Sequence, residues 1–186
     1  MKKEVEILFE LRETEKSAIK KLRRFIHVGK RRTIDIYYFD PKRKALQPTT
    51  SGRLKASFRL RNQGRSCSLA YKIDHFKKGL WIYSDEYETP AGDFKKAQAI
   101  IRQLGLKRLV KVDATKNVFK DKIFEVVIEK VSGLGLFLEV EYHFVADNKR
   151  IEDAKEYIRR WIKERGIRVG KEMNAGKPEL LLGRCR

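Results

Sequence analysis

The chain has 186 residues, of which 41% are hydrophobic and 10% aromatic, which is enough to bury a core and excludes a largely disordered protein. Its 44 lysine and arginine residues outnumber 25 acidic residues, and the formal net charge of +19 predicts attraction to polyanions such as nucleotides, polyphosphate or RNA. Cys67 and Cys185 form no CxxC motif, and we find no signal peptide and no apolar run of membrane-spanning length, so a cytoplasmic location without a membrane partner is expected.

The N-terminal residues alternate between acidic and apolar side chains. Glu4, Glu6 and Leu8 fall on one face of a predicted strand at 3–11, and apolar residues fall on the other. Helical spacing from 14 to 28 then predicts an amphipathic helix. The segment TIDIYYFD at 33–40 is rich in β-branched and aromatic residues, which predicts a second strand.

The polar face changes sign in the next strand. Residues 53–61 place Arg59 and Arg61 on a basic face opposite apolar side chains. Further strands are predicted at 66–72, which carries Lys72, at 80–89, and at 110–119. Between the last two, residues 93–104 have helical spacing and stop at Gly105.

Two alternating segments between Phe124 and Tyr142 flank a Ser-Gly-Leu-Gly turn and predict a β-hairpin. Glu129, Glu139 and Glu141 share one face of this hairpin. Because close like charges repel, that face either lies in water or faces something positive, such as a metal ion or a basic strand. A last amphipathic helix is predicted at 151–165.

Short links between neighbouring strands favour an antiparallel sheet, and the inserted helices make the class α+β. Roughly eight strands with one apolar face each suggest a curled sheet or a barrel. The polar faces then have two interpretations, which the pattern leaves open. They are solvated, or they line a water-filled cavity in which carboxylates hold Mg²⁺ or Mn²⁺ and basic side chains hold phosphate.

Several short motifs, in order along nearly the whole domain, resemble the CYTH superfamily of triphosphate tunnel metalloenzymes, which includes class IV adenylyl cyclases and thiamine triphosphatases. Glu4 and Glu6 resemble the start of its ExExK signature, and 35–40 resembles its D-x-Y-x-D strand with one extra residue. The sequence FRLR at 58–61 resembles its LRxR strand, and Glu86 with Glu88 resembles its ExE strand. The sequence EKVSGLGLFLEVE at 129–141 resembles D-x-V-x-G-L-G-x-F-x-E-x-E.

This resemblance implies an α+β fold with an eight-stranded antiparallel tunnel and flanking helices, which binds a triphosphate-containing small molecule with Mg or Mn. The implied domain spans 1–170 and is followed by a basic tail at 171–186. The implied metal ligands are Glu4, Glu6, Glu129, Glu139 and Glu141. The implied substrate-binding residues are Arg59, Arg61, Lys72, Lys116, Glu86 and Glu88, of which Arg59, Arg61 and Lys72 are also the implied catalytic residues.

The chain departs from the family pattern at four positions. Leu8 stands where ExExK has its lysine, Ser84 where an arginine often precedes ExE, Ala114 where a lysine precedes Lys116, and Lys177 where a tyrosine is usual. We therefore expect a metal-dependent enzyme that favours triphosphate hydrolysis over cyclisation to cyclic AMP. The alternatives are a class IV adenylyl cyclase-like activity, or a weakened tunnel that binds nucleotide, polyphosphate or RNA 5′ ends.

Overall fold

The computed structural model describes residues 2–143 and 151–184. The strands in this part of the chain are β1 (Lys2–Leu11), β2 (Ile26–Phe39), β3 (Ala56–Asn62), β4 (Cys67–Lys77), β5 (Leu80–Pro90), β6 (Lys107–Lys120), β7 (Phe124–Val131), β8 (Gly135–Tyr142) and β9 (Val169–Met173). The helices are α1 (Glu15–Lys21), α2 (Phe94–Gln103), α3 (Ile151–Glu164) and α4 (Lys177–Arg184), with a 3-10 turn at Lys44–Leu46. None of the helices described is long and apolar enough to cross a membrane.

The strands form an antiparallel ring. Their order is β5-β4-β3-β2-β6-β7-β8-β1, and β1 also pairs with β5, from Lys2 opposite Glu86 to Glu4 opposite Ser84. The far half of β1 pairs with β9 outside the ring. The prediction of an α+β fold with an eight-stranded antiparallel sheet is therefore confirmed within the described residues.

Every second side chain of a strand points away from the interior of the ring, and the outer face that these side chains form is largely apolar. Helices α1 and α3 cover one side of this face through a shared core, in which Phe124 packs its ring against Trp161 at 5.0 Å between centroids. Helix α2 covers the β2–β3 side through Ala97 and Ile101, and the Asp93 carboxylate caps it by accepting from the Lys96 amide. The helices thus bury the apolar faces and leave the polar faces to the interior of the ring.

The predicted boundary between the first helix and the second strand is wrong. The helix predicted to Val28 ends at Lys21, and β2 begins at Ile26. Ile26 and Val28 are 73% and 48% exposed, because hydrogen bonding to β6 overrides their helical spacing. The predicted hairpin, by contrast, is confirmed as β7 and β8 with Val131 opposite Gly135.

The segment predicted as a basic tail contains ordered elements. Residues up to Met173 belong to β9, and α4 starts at Lys177. The apolar side chains of Leu180 and Leu181 pack on the sheet beside Leu8 and Phe137. Cys67 is a buried free thiol, whereas Cys185 lies outside the described residues.

Glu13 connects α1 to the segment that precedes β9, and it generates a stability prediction. Its buried carboxylate accepts from Lys21 Nζ at 2.6 Å, from Ser17 Oγ at 2.5 Å and from the Arg168 amide at 2.9 Å. We expect Glu13→Ala to lower the free energy of unfolding by about 1–3 kcal/mol, since it leaves buried donors without an acceptor. Urea denaturation at neutral pH measures the change.

The same contacts predict a pH dependence. Burial alone would raise the pKa of Glu13, but the hydrogen bonds from Lys21 and Ser17 outweigh burial and lower it. The stabilisation is therefore present above the ordinary glutamate pKa of about 4.3 and is lost as pH falls through the lower folded-state value. The difference in the free energy of unfolding between wild type and Glu13→Ala should therefore decrease as the pH is lowered. Glu10→Ala, on an exposed carboxylate paired with Arg12, should change stability by less than about 1 kcal/mol.

Candidate functional site

The inner faces of the ring strands line a polar cavity of about 1270 Å³, counted with the solvent in its opening. This settles the choice between solvated faces and a cavity in favour of the cavity. The predicted site residues that line it are Glu4, Glu6, Arg59, Arg61, Lys72, Glu86, Glu88, Lys116, Glu139 and Glu141. Glu129 is fully buried behind them and touches the cavity cations Lys116 and Lys177.

Carboxylates and cations come from opposite walls of this cavity. The acidic wall consists of β1, β5, β7 and β8, where Glu6 stands opposite Glu141 and Leu8 opposite Glu139. The basic wall includes β3 and β4, where Arg59 stands opposite Ala70. This separation corresponds to the second interpretation of the strand faces, in which carboxylates and basic side chains line different parts of one cavity.

Lys72 is the centre of a first ion cluster. Its Nζ binds the Glu4 carboxylate and lies 3.7 Å from Glu6 and 3.6 Å from Glu86. Burial disfavours the charged ammonium, but Glu4 and Glu6 outweigh burial and raise the pKa of Lys72 well above its usual range. Burial also raises the pKa of Glu6 well above its usual range, against the attraction of Lys72.

Lys177 is the centre of a second ion cluster, at the other end of the acidic wall. Its Nζ pairs with both Glu129 and Glu139, while Lys116 Nζ lies 3.4 Å from Glu129. Burial opposes the charge of Lys177, yet the two carboxylates hold its pKa well above the usual range. The pKa of Glu139 is lowered despite its burial, because Lys177 and Lys116 stabilise the carboxylate.

The two arginines of β3 have different partners. Arg61 makes a two-pronged ion pair with Asp35, with Nε and Nη2 at 2.8 and 2.7 Å from its two oxygens. Arg59 is buried, but its Nη2 lies 3.5 Å from both Glu86 and Glu88, and its Nε has no hydrogen-bond partner among the described residues. Arg59 therefore lines the cavity with long ion pairs and one donor that no carboxylate of the described residues uses.

Residues 174–179 close one end of the ring. The Glu179 carboxylate accepts from the amides of Leu54 and Gly176, at 2.8 and 2.6 Å, and Asn174 accepts from the Trp81 amide at 2.6 Å. These contacts join the start of α4 to the start of β3 and to the β4–β5 turn. Arg31 and Gln63 line the cavity at its opposite end.

The positions that depart from the family pattern have structural roles. Leu8 and Ala114 are buried in one apolar cluster, which Leu180 and Leu181 of α4 complete. Ser84 is buried, and its Oγ donates to Asp74 at 2.7 Å. These positions therefore hold apolar contacts and a hydrogen bond from a serine hydroxyl where the family pattern has cations.

Sequence reasoning assigned no role to Lys177, to Asp35 or to Glu179. A signal was present at the start of α4, since proline is favoured in the first turn of a helix and Glu179 follows Gly176 by three positions, as in a capping box. For Asp35, the strand alternation of 33–40 placed it on the face opposite Ile34 and Ile36. Neither signal identifies the partners, which are Arg61 on the adjacent strand for Asp35 and the Leu54 amide for Glu179.

Comparisons with known proteins agree with this geometry. Residues 2–174 match the family model of the CYTH domain. A protein from Methanocaldococcus jannaschii, named "Putative adenylate cyclase", is 27% identical over 128 residues, which are 67% of this chain and 66% of that relative. The solved PH1819 protein from Pyrococcus horikoshii is similar over 97% of this chain and 99% of that one, with 26% identity and a TM-score of 0.80.

A more distant solved structure shares the fold. It is an adenylyl cyclase-like protein from Hippeastrum, described as revealing a dominant triphosphatase activity. The similarity covers 100% of this chain and 96% of that one, with 14% identity and a TM-score of 0.64.

The buried ion cluster predicts the effect of neutralising Glu129. Glu129→Gln leaves Lys116 and Lys177 buried with less compensation, so we expect the free energy of unfolding to fall by about 3 kcal/mol in the absence of metal. Chemical denaturation with chelator present measures this. Glu125→Gln is the matched control, because its partner Lys120 is half exposed and the loss should stay below about 1 kcal/mol. A more stable Glu129→Gln would mean that carboxylate repulsion exceeds the attraction of the lysines.

Proposed function

The chain belongs to the CYTH domain family, a family of metal-dependent tunnel enzymes that bind triphosphate substrates, and we propose that it hydrolyses a triphosphate with the help of a divalent metal ion. The substrate class is a nucleoside, thiamine or inorganic triphosphate. The observation that carries this proposal is Arg59, a buried guanidinium in the cavity with long ion pairs and a free Nε. A buried cation in this state favours an anionic ligand with several oxygens.

The other cavity cations support a chain of phosphates. Lys116 is buried and the Lys72 side chain is 18% exposed, and together with Arg59 they come from three strands that surround the cavity. Lys116 is poorly compensated, since burial lowers its pKa in spite of the nearby Glu129. A polyphosphate would supply negative charge to Lys116, and to Arg59, whose ion pairs are long. Arg59 and Lys72 would stabilise the charge that develops on the leaving phosphate.

The acidic wall has the donor chemistry for a metal ion. Oxygen-only ligands favour Mg²⁺ or Mn²⁺ over zinc, and the residues that would hold the ion are Glu4, Glu6, Glu129 and Glu139, with Glu141 as a further ligand. In the arrangement of the described residues, no three acidic, histidine or cysteine side chains are grouped closely enough to hold a metal, and Lys72 and Lys177 pair with the carboxylates of the acidic wall. When bound, such an ion reduces the negative charge of the phosphates.

Hydrolysis is favoured over cyclisation on chemical grounds. Hydrolysis needs only a water molecule beside the phosphates, and the carboxylates of the acidic wall can orient it. Cyclisation to cyclic AMP also requires that the ribose hydroxyl of the substrate be held and activated. The structurally similar protein from Hippeastrum, described as having a dominant triphosphatase activity, supports the same preference for hydrolysis over cyclisation.

A second candidate function is binding without turnover. The ion pairs of Lys72 and Lys177 satisfy carboxylates that a metal would otherwise need, which favours a tunnel that holds nucleotide, polyphosphate or RNA 5′ ends. The two candidates differ in one observable, the release of phosphate. The experiment therefore measures products and binding separately.

The first test measures products. The protein is incubated with ATP, GTP, thiamine triphosphate or tripolyphosphate and Mg²⁺ or Mn²⁺, and released phosphate and cyclic AMP are quantified. We expect phosphate release from at least one substrate and little cyclic AMP. Binding of these compounds without any product would contradict hydrolysis and establish the second candidate, and cyclic AMP as the main product would establish the cyclase activity.

The second test measures binding through Arg59. Tripolyphosphate at about 100 times its Kd should stabilise the folded protein by about 2.7 kcal/mol and raise the Tm, because it binds only the folded tunnel. Arg59→Ala should abolish this shift. Arg108→Ala, which replaces an exposed arginine on β6 outside the cavity lining, should retain it. A full shift in Arg59→Ala would remove the tunnel as the binding site.

A further inference from the structure

Lys177 occupies the position between two carboxylates that the proposed function assigns to a metal ion. Its ammonium pairs with Glu129 on β7 and with Glu139 on β8. We propose that Lys177 is a tethered cation that competes with the divalent metal for Glu129 and Glu139, so that metal enters this pair only when the start of α4 withdraws. The inference rests on the proposed metal-dependent function and adds a means of regulating it.

The competition follows from the burial of the cluster. Glu129 is fully buried and the Lys177 side chain is 12% exposed, so no bulk water separates the charges. An ammonium already between the two carboxylates leaves little of their negative charge for a second cation, and the two cations would repel each other strongly in this environment. The metal and Lys177 therefore exclude each other at this pair.

The means of withdrawal is built into the start of α4. Lys177 is the first residue of the helix, and its neighbours Gly176, Pro178 and Glu179 also line the cavity. The Glu179 carboxylate holds this turn in place through the amides of Leu54 and Gly176. The backbone of a cation on a strand of the ring is fixed by the sheet, whereas the backbone of Lys177 can move away when a few hydrogen bonds open.

The apolar contacts of α4 bias the helix toward the docked state. Leu180 and Leu181 pack against the cluster of Leu8, Ala114 and Phe137 on the sheet. This cluster includes two positions at which the family pattern has a lysine. The docked helix thus brings one ammonium to the cavity while its leucines cover the apolar positions.

Thermodynamic linkage makes this competition measurable. If metal binding and α4 docking oppose each other, any change that weakens docking or removes the ammonium must raise the affinity for metal. Undocking in turn must increase when metal is added. The first effect is measured as metal affinity and the second as hydrogen exchange, so neither measurement requires catalytic activity.

The experiment titrates Mn²⁺ against the full chain and follows the free ion by electron paramagnetic resonance. We expect Lys177→Gln to bind Mn²⁺ about tenfold or more tightly than wild type, within the range usual for coupled sites. Lys171→Gln is the matched control. It removes the same charge from an exposed position on the neighbouring β9 and should leave the affinity within about twofold of wild type.

A second variant protects the test against a folding defect in Lys177→Gln. Glu179→Ala keeps the ammonium but removes the acceptor for the Leu54 and Gly176 amides, so it should also tighten Mn²⁺ binding. Hydrogen exchange of the backbone amides of wild type should increase over 174–184 when Mn²⁺ is added. The amides of β9, which include that of Lys171, should show no such increase.

The outcomes separate this inference from the proposed function. Equal Mn²⁺ affinity in wild type, Lys177→Gln and Glu179→Ala would overturn the competition and leave the metal site intact. Failure of all variants and of wild type to bind Mn²⁺ would overturn both the competition and the metal-dependent function. Tighter binding in the two variants, with the control unchanged, would establish Lys177 as the competing cation.

Discussion

Opposite charges pair with each other on the inner face of the strand ring, and the rest of the structure keeps them there. Each carboxylate or ammonium group taken out of water costs several kcal/mol unless a partner of opposite sign lies in contact. Asp35 with Arg61, Glu4 with Lys72 and Glu129 with Lys116 meet this requirement between different strands. The pairing of β1 with β5 closes the ring and so holds Glu4 within reach of Lys72.

The helices that cover the outer face of the sheet supply the apolar core that a small protein with a polar interior needs. A sheet with a charged inner face has only its outer face left for apolar burial, and α1, α2 and α3 cover it. The core therefore surrounds the cavity instead of filling the ring. This arrangement explains why the helices carry amphipathic patterns while the strands alternate so regularly between apolar and charged side chains.

Much of this could be predicted from the sequence because strand alternation is local information. The faces of Glu4, Arg59 and Glu139 followed from a period of two residues, and the structure brings these faces together inside the ring. The end of α1 could not be predicted in this way, since Ile26 fits the helical stripe and becomes part of a strand only through pairing with β6. The roles of the site residues in binding and catalysis stay predictions.

The second element that local patterns could not place is α4, and the reason is physical. Eight residues are too few to form a stable helix alone, so its position depends on the apolar cluster around Leu8, which is assembled from distant strands. In the sequence, Lys177 is one basic residue in a basic segment. Only the docked helix turns it into a buried charge between two glutamates.

This dependence distinguishes Lys177 from the other cavity cations. Arg59, Lys72 and Lys116 stand on strands of the ring, so their charges are fixed as long as the sheet is folded. The charge of Lys177 is present only while a short helix is docked, and docking free energies of such peripheral elements are lower than the free energy of global unfolding. One positive charge in the cavity can therefore be removed without unfolding the ring. This separation of one charge from the fold of the ring is the condition on which the proposed competition between Lys177 and a metal ion depends.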